Sequence, residues 1–215
     1  MDTKQRILDE ALTLFSEKGY ANVYVADIAD RVGIKAPSLY KHYKNKQAIF
    51  DAIIEEMNQR FLEQAGALQI NGADAAKDAD IYQTISEEQL IDLGRNLFLY
   101  FLHDDHTRRF RKMLTIEQFH DKELAKVYQK QYVDDPLSYQ GMLFGMLVAS
   151  GILQTDNVEI MTIHFYAPIY MLLVMCDREP EREPEALKTL EEHIRQFNLL
   201  YGRDEKKIRS RRKKA

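Results

Sequence analysis

The sequence of 215 residues contains one cysteine, no tryptophan, and neither internal repeats nor a glycine loop that would cradle a phosphate. The single Cys176, inside an apolar segment, excludes an intrachain disulfide framework and predicts a reducing compartment. The polar start, MDTKQR, is unlike a signal peptide, so we expect the cytoplasm. The apolar runs 142–153 and 165–176 are shorter than the roughly 20 residues of a membrane-spanning helix, so we expect no membrane partner.

An excess of one charge is also lacking overall, since the formal net charge is only −4. The distribution of charge is more informative. Residues 1–60 are neutral, residues 203–215 carry +6, and residues 61–202 carry −10. From Arg31 to Phe50 there are five Lys or Arg residues and no Asp or Glu. An acidic body with a locally basic edge fits a protein that binds a polyanion while limiting non-specific DNA binding.

The segment from Val25 to Lys46 predicts two short helices joined by a glycine turn, a helix-turn-helix. Gly33 can adopt the positive φ that ends the first helix, and Pro37 fits the first turn of the second. Leu39 is expected to point inward. The inner face of the first helix is formed by Ile28, Ala29 and Val32.

Two longer helices are expected on either side of this segment. Thr3 can cap the first, which Gly19 ends, and Asn45 can cap the second. Both carry apolar residues at helical spacing. They are Ile7, Leu8, Ala11, Leu14 and Phe15 before the segment, and Ile49, Phe50, Ile53, Ile54, Met57 and Phe61 after it.

The stretch KQRILDEALTLFSEKGYANVYVADIADRVGIKAPSLYKHYKNKQAIFDAI resembles the amino-terminal DNA-binding domain of the tetracycline-repressor (TetR) family of bacterial transcription regulators. The resemblance covers about residues 3–55. It implies a homodimer that binds a palindromic operator in double-stranded DNA, usually as a repressor, and releases it when a small molecule enters a larger domain. The alternative is a helical small-molecule-binding or interaction protein that no longer reads DNA.

The same resemblance assigns roles to individual residues. It places Ala36, Pro37, Ser38 and Lys41 toward base edges in the major groove. It places Tyr40, His42 and Lys46 at positions that usually contact phosphates. The residue types suit these roles, since an ammonium can donate to guanine and a tyrosine hydroxyl to a phosphate.

Three positions depart from the family pattern. Tyr24 stands where a Thr or Ser usually caps the second helix, although Asp27 can still accept from its backbone N–H. Ala26 replaces a frequent basic phosphate contact. Lys35 replaces the small hydroxyl residue that caps the recognition helix, so we count it among the DNA-binding residues. These departures affect the expected footprint on DNA and not the expected fold.

The rest of the chain predicts further helices and no strands, so the expected fold class is all-α. We expect an N-terminal three-helix helix-turn-helix domain (1–48), a larger helical effector-binding and dimerisation domain (49–202) and a basic tail (203–215). Gly66–Ser86 is expected to be a loop or a frayed continuation of the fourth helix, and REPEREPE a proline-broken connection. The predicted helices are Glu87–His103, His106–Gln118, Asp121–Val133, Pro136–Leu153, a helix capped by Asp156 that runs to about Asp177, and Glu185–Tyr201.

The last two long helices carry apolar stripes that, by analogy with the family, pair with a second copy as a four-helix bundle. Intrachain core is the alternative. The stripes are Phe165, Ile169, Leu172, Leu173 and Cys176, and Leu187, Leu190, Ile194, Phe197, Leu200 and Tyr201.

Methionine and aromatic side chains of the second domain suit an adaptable pocket for a hydrophobic effector, and they equally suit an ordinary core. Among them, His164 is a candidate hydrogen-bonding partner for a ligand, although a satisfied core histidine is the alternative. The candidate ligand-binding residues are Phe98, Phe101, Met113, Phe119, Met142, Met146, His164 and Phe165.

No enzyme motif is complete. Glu117-x-x-His120 has the spacing of a di-iron helix, but that chemistry needs the pair twice. His103-x-x-His106 is interrupted by the helix-ending Asp104 and Asp105. We therefore expect no catalytic residues, no metal site and no cofactor. The tail KKIRSRRKKA is expected either to approach DNA phosphates or to stay solvated.

Overall fold

A computed structural model describes residues 2–202, and over this range the chain is helical. The only β pairing in it is an isolated bridge between Leu153 and Gly202, so the predicted all-α class is confirmed. The helices of the described range are α1 Thr3–Lys18, α2 Val25–Val32, α3 Ala36–Leu39, α4 Lys46–Ala67, α5 Ala75–Thr84, α6 Glu87–His103, α7 Asp105–Glu117, α8 Lys122–Gln129, the π-helix Lys130–Asp134, α9 Asp135–Ala149, α10 Val158–Arg178, the 3₁₀ turn Pro180–Arg182 and α11 Glu183–Tyr201.

The described residues form two compact units. Unit 1 contains residues 2–64 and 99–134, and unit 2 contains residues 65–98 and 135–202. This division does not follow the boundary expected at residue 48, because α4 continues past it and α7 packs on α1. The division into functional domains at residue 48 stays a prediction, and the basic tail lies outside the described residues.

Unit 1 is built on the apolar stripe predicted for α1. Ile7 and Phe15 are buried, and Phe15 meets Phe50 of α4 edge to face with ring centroids 6.5 Å apart. Phe50 in turn packs on Phe110 of α7 at 6.2 Å. Full burial of one such side chain stabilises the fold by about 1.5–3 kcal/mol. The three helices therefore share one core, which fixes the base from which α2 and α3 project.

Helix α5 corrects the expectation of a loop over Gly66–Ser86. Asp74 caps it by accepting from the N–H groups of Ala76 and Lys77 at 3.1 and 3.4 Å. The fully buried Asp78 accepts from the backbone of Asn71 and Gly72 at 2.6 and 2.8 Å. It also accepts from the hydroxyl of Tyr139 on α9 at 2.7 Å. A stretch rich in Ala and Asp predicts a loop from sequence alone, but here Asp74 caps the helix and Asp78 holds the loop that precedes it.

Smaller corrections concern the ends of helices. Asn157, not Asp156, caps α10 by accepting from the N–H of Ile160 at 3.0 Å. Thr3 is the first residue of α1 rather than its cap. Helix α11 begins at Glu183, so the second half of REPEREPE is helical, because Pro184 occupies a first-turn position that needs no N–H donor.

Helix α10 is longer and more apolar as a unit than the run 165–176 indicated. It has 21 residues, and its length and composition alone would allow it to cross a membrane. Only 22% of its most apolar window is buried within the chain. The nominated stripe residues Leu172, Leu173 and Cys176 are buried, as are Leu190, Ile194 and Phe197 of α11. These six belong to intrachain core, and a different face of α10 remains exposed.

Candidate nucleic-acid interface

The turn between α2 and α3 has the geometry predicted from Gly33. Its φ of 77° and ψ of 32° are left-handed, a conformation that costs glycine no Cβ clash. The N–H of Ile34 then closes back on the carbonyl of Ala29 at 2.9 Å. The guanidinium of Arg6 on α1 donates to the carbonyl of Val32 at 2.6 Å, so α1 holds the end of α2 in place.

The start of α2 is capped from one side only. The backbone N–H of Tyr24 donates to the Asp27 carboxylate at 2.7 Å, which confirms the half capping box expected there. Tyr24 itself is 70% exposed. The departure from the family cap therefore leaves α2 intact.

Helix α3 is short, and one buried side chain sets its orientation. Pro37 lies in its first turn, as predicted, and Leu39 is fully buried. Two further turns follow, in which the N–H groups of His42 and Tyr43 donate to the carbonyl of Leu39 at 2.9 and 3.1 Å. With Leu39 and Tyr43 inward, the residues between them face outward.

The outward residues form a basic edge, which we call the reading edge: residues 35–38 and 40–42, in the turn that precedes α3, on α3 and in the turn that follows it. Tyr40 is 53% exposed. Ala36 and Ser38 are half-buried, and the others are exposed. Among residues 2–202, Lys35, Lys41 and the neighbouring Lys44 form no ion pair, whereas Arg31 pairs with Glu10 at 3.1 Å. Unpaired cations beside hydroxyl, imidazole and small apolar groups suit a nucleic-acid surface.

Lys46 was predicted to contact a phosphate, but its side chain is held by the turn between α1 and α2. Its ammonium donates to the carbonyls of Tyr20 and Val23 at 2.8 and 2.9 Å and lies 4.3 Å from the centre of the Tyr20 ring. Burial lowers the pKa of this ammonium, while nearby carboxylates oppose that shift. An ammonium has three donors, so one remains for a phosphate. Its phosphate contact stays a prediction, and its structural role was not evident from the sequence.

The turn between α1 and α2 is also held from α7. The buried carboxylate of Glu117 accepts from the N–H of Tyr20 at 3.2 Å. Sequence reasoning considered Glu117 only as half of a metal motif. Contact between residues 97 positions apart leaves no periodic signal in a single sequence.

The predicted ligand-binding residues are divided between the two units. Phe101, Met113 and Phe119 belong to unit 1, where Met113 is buried and Phe119 is 81% exposed. The other five belong to unit 2. Their ligand role stays a prediction.

Within unit 2, Phe165 packs against Phe144 at a centroid distance of 5.3 Å, in the core cluster that includes Phe197. Met142 is 52% exposed and Met146 is 38% exposed, while Phe98 is buried. His164 is exposed, and its Nδ1 lies 2.6 Å from the Tyr201 hydroxyl. His164 therefore has a hydrogen-bond partner within the chain, as the alternative interpretation predicted, but it lies at the surface rather than in the core.

A cleft of about 300 Å³ lies in unit 1 beside the ends of α1 and α7. It is lined by Phe15, Lys18, Met113, Glu117 and His120 among others. Of the predicted ligand-binding residues, Met113 alone lines this cleft.

Comparison with known proteins supports the interpretation of α2 and α3 as a DNA-binding helix-turn-helix. The family profile described as bacterial regulatory proteins, tetR family, matches residues 7–53. The biofilm operon icaADBC HTH-type negative transcriptional regulator IcaR of Staphylococcus epidermidis is 45% identical over 60 residues, which are 28% of this chain and 32% of that protein. IcaR of Staphylococcus aureus is 29% identical over 136 residues, 60% of this chain and 72% of that protein.

A solved structure shares the fold over nearly the whole chain. SmeT, the repressor of the Stenotrophomonas maltophilia multidrug efflux pump SmeDEF, superposes in its triclosan complex with a TM-score of 0.68 at 21% identity, over 94% of this chain and 93% of that one. The helix-turn-helix geometry, the family profile over it and the shared helical fold agree. Residues 7–53 therefore match the tetR family of bacterial regulatory proteins, and the chain as a whole shares the helical fold of SmeT.

Proposed function

We propose that this protein is a homodimeric transcription repressor that binds a palindromic operator and is released from it by a small-molecule effector. The observation that carries the proposal is the reading edge. Its lysines are exposed and free of ion pairs with described residues, and no carboxylate lies between Arg31 and Phe50. A surface of this kind gains free energy by displacing counterions from DNA.

Sequence preference would come from side chains of α3 and of the turn that follows it. The Lys41 ammonium suits the acceptors of guanine, the Ser38 hydroxyl can pair with several bases, and Pro37 offers an apolar surface to a thymine methyl. Tyr40 and His42 would donate to phosphates and so fix the register. Repression of transcription, rather than activation, is supported by IcaR, a negative transcriptional regulator, and by SmeT, a repressor.

Dimerisation is supported by apolar surface that the chain leaves exposed in unit 2. Met171 of α10 is 60% exposed, and Leu199 and Leu200 of α11 are 76% and 59% exposed. Ile160 and Ile163 continue the exposed face of α10. A second copy would cover these side chains, and two recognition helices would then reach two half-sites. This surface replaces the buried stripe residues as the proposed interface.

The effector is proposed to be a hydrophobic molecule that binds in the helical domain, with SmeT in its triclosan complex as the structural precedent for ligand binding on this fold. Helix α4 begins directly after the reading edge and continues to Ala67, so a tilt of α4 would move the recognition helix. By linkage, the effector weakens operator binding only as far as its affinity differs between the two forms, typically about 1–3 kcal/mol.

Gel retardation with the DNA upstream of the protein's own gene tests the proposal. We expect specific retardation that excess scrambled duplex does not abolish, and two chains per duplex by analytical ultracentrifugation. No retardation at low salt would instead support the alternative, a helical binding protein that no longer reads DNA. Replacing Met171 and Leu200 by Glu should give monomers that lose the specific complex.

A further inference from the structure

A mixed imidazole and carboxylate cluster lies in unit 1 and has no part in the reading edge. Asp9 of α1, Glu56 of α4 and His106 of α7 each direct one ligand atom to the same place, and these atoms all lie within 4.8 Å of one another. Each residue comes from a different helix. An imidazole nitrogen among the oxygens distinguishes the cluster from an ordinary acidic surface patch.

One pair of ligand atoms already has the spacing found in a coordination sphere. The Nε2 of His106 lies 3.0 Å from the Oδ1 of Asp9. Zinc bonds of about 2.0–2.2 Å to nitrogen and oxygen place neighbouring ligand atoms roughly 3–3.5 Å apart. The side chains of His106, Asp9 and Glu56 are 25%, 23% and 16% exposed. An ion could therefore enter from solvent and still be partly shielded from it.

The charges around the cluster favour a divalent cation. Asp9, Glu56 and the nearby Asp104 supply three carboxylates against the one guanidinium of Arg60. That guanidinium donates to Oε1 of Glu56 at 2.8 Å and lies 3.8 Å from Asp104. These three carboxylates and one guanidinium sum to a net charge of −2, the imidazole not being counted. Arg60 also orients Glu56, as partners of metal-binding carboxylates commonly do.

Gln5 joins the two carboxylates of the cluster. Its Nε2 donates to Oδ1 of Asp9 at 3.1 Å and to Oε2 of Glu56 at 2.9 Å. A side-chain amide carries a donor at one end and an acceptor at the other, and rotation about its last bond exchanges them. In the arrangement described, the amide holds the carboxylates together. After rotation, its carbonyl oxygen would face a cation at the same position.

We propose that Asp9, Glu56 and His106 bind a divalent transition-metal ion, with Gln5 as an additional oxygen ligand, and that the ion ties α1, α4 and α7 together. The imidazole favours zinc, iron or nickel over magnesium and calcium, and the carboxylates tolerate the same ions. The expectation of no metal site rested on motifs within single helices. The three residues of this cluster are far apart in sequence, so no spacing motif contains them.

Zinc titration of the full-length, tag-free protein tests the site without reference to DNA, so its result is separate from that of the operator experiment. We expect one Zn²⁺ per chain by isothermal titration calorimetry after treatment with a chelator, and a rise in melting temperature. Asp9→Asn and His106→Ala should each weaken binding at least about tenfold, the usual cost of losing a metal ligand or its support. His120→Ala, which removes an exposed histidine near the end of the same helix α7, should leave it unchanged.

Diffraction at the zinc absorption edge from crystals of the wild-type protein keeps the test decisive if a variant fails to fold. An anomalous peak between Asp9, Glu56 and His106 is the expected result. The proposal would be overturned if no zinc bound, or if binding survived both substitutions in folded variants. An anomalous peak at another position would also overturn it.

Discussion

The carboxylate of Glu117 at the end of α7 accepts from the backbone N–H of Tyr20, directly after Gly19, at 3.2 Å. Gly19 has φ 82° and ψ 149°, a region that only glycine enters readily. A Cβ placed on Gly19 would lie 2.5 Å from Oε1 of Glu117. The glycine therefore permits both the turn and the close approach of α7.

Gly19→Ala should lower the free energy of unfolding by at least about 2 kcal/mol, because it strains the backbone and displaces Glu117. Urea unfolding measures the change. Gly66→Ala is the matched control. Gly66 lies inside α4, and a Cβ added to it would have nothing within 4 Å, so alanine should be neutral or stabilise by about 0.5–1 kcal/mol. Equal stabilities of the two variants would contradict this account of Gly19.

Lys41→Ala should weaken binding to the specific operator roughly five- to 150-fold, as expected for the loss of about 1–3 kcal/mol from a base contact. Fluorescence anisotropy with operator and scrambled duplexes gives both affinities. The loss should be larger for the operator. Lys126→Ala, an exposed lysine of α8, provides the control and should change neither affinity. An equal loss on both duplexes would identify Lys41 as a phosphate contact instead.

Deleting residues 203–215 should flatten the salt dependence of DNA binding and leave sequence preference intact. The segment carries eight Lys or Arg residues and two acids, and counterion release scales with the number of phosphates neutralised. Operator affinity measured across a series of salt concentrations gives the slope. A truncated protein that no longer distinguishes operator from scrambled DNA would show that the tail takes part in readout.

The free energy of unfolding should fall at alkaline pH because of Tyr82, which lies near the buried Asp78. Desolvation, with the charge of Asp78, raises the pKa of Tyr82 to about 12. The folded protein thus retains a proton that the unfolded chain releases, so stability declines as the pH rises from about 10 toward 12. Tyr82→Phe should reduce this decline in thermal melts. The exposed Tyr24→Phe should not, and an unchanged slope in the first variant would refute the assignment.

Tyr43→Phe should be neutral or raise the free energy of unfolding by up to about 1 kcal/mol. The Tyr43 hydroxyl oxygen is buried without a hydrogen-bond partner among residues 2–202, so its removal relieves a desolvation cost. Tyr139→Phe makes the opposite case, because that hydroxyl donates to Asp78 at 2.7 Å and its loss should destabilise. Chemical denaturation of both variants compares them, and destabilisation by the first would reveal a further partner of the Tyr43 hydroxyl.

Much of unit 1 was accessible from sequence because its signals are local. The stripe of α1, the left-handed Gly33, the first-turn Pro37 and the inward Leu39 each follow from a spacing or a backbone preference. Asn45 caps α4 as predicted, accepting from the N–H of Ala48 at 2.8 Å. Family resemblance then added roles for exposed residues that no periodicity could assign.

Other features depended on contacts between distant residues. The segment expected as a loop forms a helix that Asp74 caps, and the buried Asp78 anchors its start because Tyr139 of α9 and two backbone amides donate to it. Likewise, the two carbonyls that accept from Lys46, those of Tyr20 and Val23, lie in another turn.

The sequence by itself determined the helical class, the helix-turn-helix and its basic edge, because helix periodicity and turn chemistry act over a few residues. Tertiary structure alone decided which apolar face of α10 stays exposed and which side chains gather at Asp9. Both depend on where separate helices come to lie, and that position is set by packing of the whole core rather than by any local preference.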